Sequence, residues 1–543
     1  MTQNNGISIS DTATAGIFIG GGGADQAQAQ HLLLRYGNRH GLIAGATGTG
    51  KTITMQIMAE AFSDAGVPVF LTDIKGDCAG MSQPGTPREA FARRAAAIGF
   101  NGPDYRALPV TFWDMFGENG HPVRATLAEM GPLLLSRMLE ATEAQEGVLN
   151  VAFRIADDEG LPLLDLKDLQ ALLAFLGAHQ REISQRYGTV TTASIGAIQR
   201  RLLILENQGV AHFFGEPALD LADILRVGAD GRGQVNILHA VRLMQTPRLY
   251  ATFLLWLLAE LFETLPEVGD GDRPKLVFFF DEAHLLFNGA PRALIDKVEQ
   301  VARLIRSKGV GIYFVTQNPD DVPETVLGQL GNRVQHALRA FTARDQQSLR
   351  RAAQTYRPNP RFDIADTIRD VGTGEALTSF LQDKGVPGIA ERTLIRPPGS
   401  AMGPIEDSLR TAVMATSPVV GKYDNAVDRD SAHEMLARRA EAAAKAAEAA
   451  DGSARAAGPG PWSATPAPDR EDREFSSARR YQPTMPKTRE PAKINRPTPA
   501  RTPPTRRTDS AVDAFTKSFA RQLGTKSGQA LVRGILGGLF RGR

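Results

Sequence analysis

The strongest chemical signal lies near the start of the chain, in Gly45-Ala-Thr-Gly-Thr-Gly50-Lys51-Thr52, which has the spacing of a phosphate-cradling P-loop. Phosphate oxygens need several backbone N–H groups converging on one point, and a glycine-rich turn at a helix N-terminus supplies them. Gly45, Thr47, Gly48, Thr49 and Gly50 form the expected cradle. Lys51 is placed to reach the β- and γ-phosphates of ATP, and the Thr52 hydroxyl to ligate Mg²⁺. A second signal, Lys275-Leu-Val-Phe-Phe-Phe280-Asp281-Glu282, is an apolar strand that ends in two acids. Asp281 is expected to organise Mg²⁺, and Glu282, just beyond the strand tip, to be the base that activates an attacking water. A regulatory GTPase or a small-molecule kinase would not require that glutamate. The third, Gly309-Val-Gly-Ile-Tyr-Phe-Val-Thr316-Gln317-Asn318-Pro319, delivers Gln317 to a strand's C-terminal end, where its amide can bond the γ-phosphate or the water. An acid pair at a strand end, or a polar residue before a proline, is common in isolation. The second and third signals draw their meaning from the first.

These residues need a sheet to hold them. Short apolar runs alternate with helical patterns from about Gly16 to Thr416, as in a mostly parallel sheet with helices on both faces. The expected strands are Gly41–Ala44, Val67–Thr72, Val110–Phe112, Val235–Ala240, Leu276–Phe280 and Gly311–Thr316. Leu276–Phe280 is apolar at every position, the pattern of a strand buried on both sides. A helix is expected over Ile53–Phe62, directly after the P-loop. The α/β core is thus expected in two parts, 1–120 and 231–430, around a helical insertion at 121–230. Within the insertion, Asp165 and Asp168 sit where helix N-caps belong.

Beyond the core, Ser431-Ala-His-Glu434 has capping-box spacing and opens an Ala-rich helix over 431–450. Residues 451–510 are rich in Gly, Pro, Ser, Thr and Arg, and cannot bury enough apolar area to offset their ordering entropy, so a disordered linker is expected. Residues 511–543 regain helical periodicity through Phe515, Phe519, Leu523, Leu531, Ile535 and Leu539, with a strong excess of basic residues. Such a segment suits the protein's own core, a protein partner, nucleic acid or an anionic membrane surface, and its glycines favour the core or a protein partner over lipid.

A formal net charge of +2 excludes a globally basic particle, so any nucleic-acid surface must be local. The single cysteine, Cys78, rules out an internal disulfide, fits a reducing cytoplasm and is expected to be an inert thiol. No zinc-ligand spacing occurs, and His40, His239 and His284 each lie beside an apolar strand, where a satisfied core histidine is the common case. The polar N-terminus, Met1 to Thr14, lacks signal-peptide character. Leu249–Leu265, the most apolar stretch, contains Glu260 and Glu263 and is too short to span a bilayer.

Taken together, Gly45–Thr52, Phe280-Asp281-Glu282 and Thr316-Gln317-Asn318-Pro319 resemble the HerA–FtsK group of additional-strand P-loop ATPases. The similarity extends to bacterial HerA-like proteins of the YjgR type through Arg39–Thr52, Thr72-Asp-Ile-Lys-Gly-Asp77, Glu129–Arg137 and Val532–Phe540. The resemblance implies a RecA-like core and, for the wider group, hexameric rings that pull DNA or polypeptide through a pore. It also implies an arginine supplied by the neighbouring subunit: Arg306 matches that position, with Arg339 or Arg333 as substitutes. HerA-type translocases commonly carry an N-terminal barrel-like domain, whereas only about forty residues precede this P-loop. Two functions follow as expectations. One is an ATP-hydrolysing motor acting on DNA as a ring. The other is a nucleotide-switched scaffold that docks through its C-terminal segment. Glu282 and Gln317 suit repeated turnover and favour the motor.

Overall fold

The computed structural model describes residues 16–269, 271–287 and 292–456. The chain divides into two compact units, Met1–Met435 and Leu436–Arg543. The expected linker and C-terminal basic segment, apart from the end of one helix, lie outside the described residues.

The first unit is built on one sheet of twelve strands: β1 (Ile17–Gly22), β2 (Gln28–Leu32), β3 (Gly41–Ala44), β4 (Val69–Asp73), β5 (Val110–Asp114), β6 (His121–Pro122), β7 (Val235–His239), β8 (Leu276–Phe280), β9 (Val310–Thr316), β10 (Asn332–Gln335), β11 (Glu375–Ser379) and β12 (Glu391–Ile395). Their order is β2-β1-β12-β11-β10-β3-β9-β8-β4-β7-β5-β6. Every pairing from β10 through to β6 is parallel, and the four from β2 to β10 are antiparallel. The fold is α/β, as the alternation of the sequence implies. All five residues of β8 and all seven of β9 are buried, so helices cover both faces of the sheet centre.

All six strands expected from the sequence are present, and they form the parallel centre with β10 and β6. The antiparallel edge went unmarked for specific reasons. In β1 the run Gly20-Gly21-Gly22 looks like a loop, yet a Cβ on Gly20 would sit 2.1 Å from the Leu394 carbonyl oxygen, so close approach to β12 demands glycine. In β10, Asn332 and Gln335 interrupt any apolar pattern. Both are buried, and Asn332 Nδ2 donates to the carbonyls of Tyr36 and His40 at 2.9 and 3.2 Å. Between β11 and β12, the hydroxyls of Thr378 and Thr393 bond each other at 2.7 Å in a buried setting.

The P-loop helix, Lys51–Asp64, packs Met55, Met58 and Phe62 into the main core. Phe62, Phe279 and Tyr313 form a buried aromatic triangle with ring centroids 5.2–6.4 Å apart, which locks this helix onto β8 and β9. Six α-helices, from Leu127–Met138 to Leu221–Ile224, fill the stretch between β6 and β7. Asp165 caps helix Leu166–Ala178 by accepting the Lys167 and Asp168 N–H groups. Asp168 does more than cap: fully buried, it accepts the His433 N–H at 2.8 Å and pairs with the Ser431 hydroxyl. Ser431 N–H donates to Glu434 at 2.9 Å, closing the capping interaction at the start of helix Ala432–Ala456. The apolar stretch around Leu249–Leu265 is helix Pro247–Thr264, buried over most of its length. Among the described residues, no helix is long and apolar enough to cross a membrane.

Candidate nucleotide-binding site

Parallel strands bring their C-terminal ends to one edge, where β3, β9, β8 and β4 lie side by side in that order. The P-loop leaves β3, Gln317 follows β9, Asp281 and Glu282 follow β8, and the Asp73–Asp77 turn follows β4. The strand ending at Gln317 therefore stands between the P-loop strand and the strand bearing the acid pair.

The loop has the shape that phosphate needs. Gly45, Gly48 and Gly50 have φ of +153°, +77° and +119°, values that residues with side chains avoid. A Cβ on Gly45 would lie 2.5 Å from the Cβ of His336, so the cradle closes only with glycine there. Gly50 is the N-cap of the P-loop helix, which has neither a side-chain cap nor an acid in its first turn. Its first N–H groups and the positive end of its dipole are thus left for an anion. Thr47 and Gly48 are exposed at the loop crest, Thr49 Oγ1 donates to Ala46 O at 2.7 Å, and Thr52 is partly exposed at the helix start. Lys51 is buried and donates to the carbonyls of Gly45 and Ala46 at 2.7 and 3.2 Å. Burial, then the nearby Lys75, lowers its pKa, while Glu282 and Asp281 act in the opposite sense. The donor set fits a Mg²⁺–triphosphate, and Thr52 and Asp281 are the oxygen-bearing side chains that could hold the metal.

The acid pair is held tightly. Thr72 Oγ1 accepts the Asp281 N–H at 3.1 Å and the buried Tyr250 hydroxyl at 2.9 Å. Burial pushes the Asp281 carboxyl up to about 6, with Lys75 opposing and Glu282 adding to the rise. Glu282 is buried with φ +47°, a left-handed conformation that costs a non-glycine residue about 1–3 kcal/mol. Its carboxylate meets Lys75 Nζ at 2.7 Å, His284 Nδ1 at 3.3 Å and Gln317 Nε2 at 3.4 Å from each oxygen. Burial alone would raise the Glu282 pKa, but the bonds from Lys75 and Gln317 outweigh it and leave it lowered. Gln317 is aimed by the turn behind it, in which Asp321 accepts the Thr316 hydroxyl and the Asn318 N–H at 2.7 and 3.2 Å.

The arginines are not gathered here. Arg306 lies in the 3-10 turn Ile305–Lys308, which enters β9 at the end opposite Gln317. Arg333 spends its guanidinium on the carbonyls of Leu330, Leu327 and Thr355. Arg339 is exposed, just past β10 on the P-loop edge.

Several neighbours were silent in the sequence. Lys75 and Thr72 stand within Thr72-Asp-Ile-Lys-Gly-Asp77, which marks a motif without revealing its partners. His336, fully buried, donates from Nδ1 to Glu375 O and accepts the Thr54 hydroxyl on Nε2, both at 2.8 Å, and so props the P-loop from below. Of the histidines read as satisfied core residues, His40 is one: Ala302 O and the Ile312 N–H occupy its two nitrogens. The other two differ. His284 is 27% exposed beside Glu282, because it opens the helix that follows the acid pair. His239 Nδ1 is buried with no hydrogen-bond partner. Cys78 is buried, and burial together with Asp73 and Asp77 raises its thiol pKa well above the usual value, so it is no nucleophile. Asp73, Asp77 and Cys78 do cluster within 4.8 Å, but Asp73 already accepts the N–H groups of Gly76, Asp77 and Cys78.

A P-loop, an intervening strand and an acid-tipped strand in one parallel sheet define the core of a RecA-like P-loop ATPase. Residues 22–543 match the family described as helicase HerA-like C-terminal, and the chain belongs to that family. A curated relative is the DNA double-strand break repair helicase HerA of Sulfolobus acidocaldarius, 20% identical over 358 residues, or 63% of this chain. The matched region spans 62% of that relative's length. Among solved structures, the bacterial conjugative coupling protein TrwB is 13% identical over 73% of this chain and 95% of its own, with a TM-score of 0.45. VirB4 of Thermoanaerobacter pseudethanolicus is 14% identical over 70% of this chain and 96% of its own, with a TM-score of 0.46.

Proposed function

We propose that this chain binds ATP with Mg²⁺ on Gly45–Thr52, hydrolyses it, and uses the cycle to move DNA as a ring of identical subunits. The observation that carries the hydrolysis is Glu282: a buried carboxylate at the tip of β8, separated from the P-loop strand by β9 alone, with the Gln317 amide 3.4 Å from both its oxygens. In this reading the phosphates sit on the N–H groups that open helix Lys51–Asp64, and Lys51 turns from the loop carbonyls to the β- and γ-phosphates. Thr52 and Asp281 would hold the Mg²⁺, which would supply positive charge against the phosphate oxygens. Glu282 takes the proton from the attacking water, a contribution of about 10²- to 10⁴-fold. Gln317 orients that water or the γ-phosphate. Burial of the Glu282 side chain strengthens each of these interactions, because bulk water does not screen them.

Arg306 lies at the opposite edge of the sheet from the P-loop, so in this reading it serves the site of a neighbouring copy. Family membership and the similarity to a DNA double-strand break repair helicase support DNA as the substrate. The test is to measure ATPase rate and particle mass together, with and without duplex DNA. Hexamers whose turnover rises with DNA are expected. Turnover unaffected by any single- or double-stranded DNA would count against DNA as the moved polymer, and a monomeric mass under turnover conditions would count against the ring.

A further inference from the structure

Two lysines face the acids at the strand tips, and the P-loop chemistry assigns a role only to Lys51. Lys75, two residues beyond β4, pairs with Glu282 Oε1 at 2.7 Å, its own side chain 40% exposed and the carboxylate only 5%. This is not an ordinary surface pair. The backbone holds Glu282 at φ +47°, and its side chain is buried. The turn that presents Lys75 is clamped by Asp73, which accepts the N–H groups of Gly76, Asp77 and Cys78 at 2.7, 3.1 and 3.1 Å. Lys75 also lies within electrostatic reach of Lys51, Asp281 and Asp77, so its ammonium stands among the groups that would surround a terminal phosphate.

A carboxylate oxygen committed to an ammonium at 2.7 Å is a poor proton acceptor. For Glu282 to serve as a base, Lys75 must find another anion. A lysine suits that exchange: its charge is compact, and its four-carbon stem lets the donors swing between partners.

We infer that Lys75 senses the γ-phosphate. A triphosphate in the P-loop draws the Lys75 ammonium from Glu282 to its terminal phosphate and frees the carboxylate to accept a proton from water. A diphosphate offers no such anion, so with ADP the Lys75–Glu282 pair persists. The base is thereby available only while there is a bond to cleave. The inference rests on the nucleotide reading above. A fixed counter-ion, neutralising Asp281 and Glu282 whatever nucleotide is bound, would give the same ion pair but a different response to nucleotide.

The experiment uses the full chain and the variants Lys75→Met and Lys75→Arg. Each is titrated with ADP and with a non-hydrolysable imido analogue of ATP, both with Mg²⁺, and each is checked by thermal unfolding. Lys75→Met should bind ADP within about twofold of the unsubstituted chain and the analogue about tenfold or more weakly, the magnitude of one charge-assisted hydrogen bond. Lys75→Arg keeps the charge, controls for folding and should recover most of the analogue affinity. An analogue-to-ADP ratio unchanged in Lys75→Met overturns the inference in favour of the fixed counter-ion. An unsubstituted chain that binds neither nucleotide overturns the nucleotide reading and this inference together. One that binds both without turnover contradicts only hydrolysis, since the ratio still decides the role of Lys75.

Discussion

Lowering the pH from 8 to 5 should weaken the fold through two buried imidazoles. His40 donates from Nε2 to Ala302 O at 2.6 Å and accepts the Ile312 N–H on Nδ1 at 3.0 Å, so a second ring proton would face a donor. His336 bonds Glu375 O through Nδ1 and the Thr54 hydroxyl through Nε2; that hydroxyl can accept as well as donate, so the ring's resistance to a second proton comes from burial and the nearby Lys51. Burial is the main reason that each falls from 6.5 to about 4. The unfolded chain takes up these protons near pH 6.5, whereas the folded chain resists until about pH 4. The stability from each ring is therefore complete above pH 6.5 and lost as the pH falls toward 4. At about 1.36 kcal/mol per pKa unit, each ring should cost about 2 kcal/mol between pH 8 and pH 5. Asp281, raised to about 6, works with the opposite sign, stabilising as the pH falls, so the informative quantity is the difference between parent and variant. Urea unfolding at pH 8, 6.5 and 5 should be compared for the parent, His40→Gln and His336→Asn. Both variants should be less stable at pH 8, and each should lose about 2 kcal/mol less than the parent on going to pH 5. The same pH dependence in all three chains would refute the reasoning.

Two further substitutions test the scaffold of the site. Thr72→Val removes the acceptor for the Asp281 N–H and the Tyr250 hydroxyl, and should cost about 1–3 kcal/mol in thermal or urea unfolding while raising the Mg²⁺ concentration needed for nucleotide binding. Phe279→Ala opens the aromatic triangle with Phe62 and Tyr313 and should cost about 3–5 kcal/mol, read as a shift in urea midpoint at constant slope.

The parallel centre of the sheet was legible because strands buried on both faces are apolar throughout, as in Leu276–Phe280 and Gly311–Thr316. The P-loop was legible for a related reason: three glycines with positive φ leave a mark that few other structures require. The antiparallel edge was not. Gly20 and Asn332 are set by contacts with Leu394, Tyr36 and His40, all distant in the chain, and no local pattern records such partners. The same holds for the site. Its acids and Gln317 could be placed from strand ends. The pairing of Lys75 with Glu282 across 207 positions depends on β4 and β8 lying side by side, which the sheet order alone reveals. His336 was missed because it follows a short polar strand, so nothing nearby pointed it at the P-loop.

The central claim is that Glu282 turns a phosphate-binding loop into a hydrolysing site. Its most direct test is to measure Mg²⁺–ATP affinity and turnover in the same preparations of the unsubstituted chain and Glu282→Gln. The account predicts that Glu282→Gln retains ATP with affinity close to that of the unsubstituted chain while its turnover falls about 10²- to 10⁴-fold. A Glu282→Gln chain that hydrolyses ATP at the unsubstituted rate would contradict it.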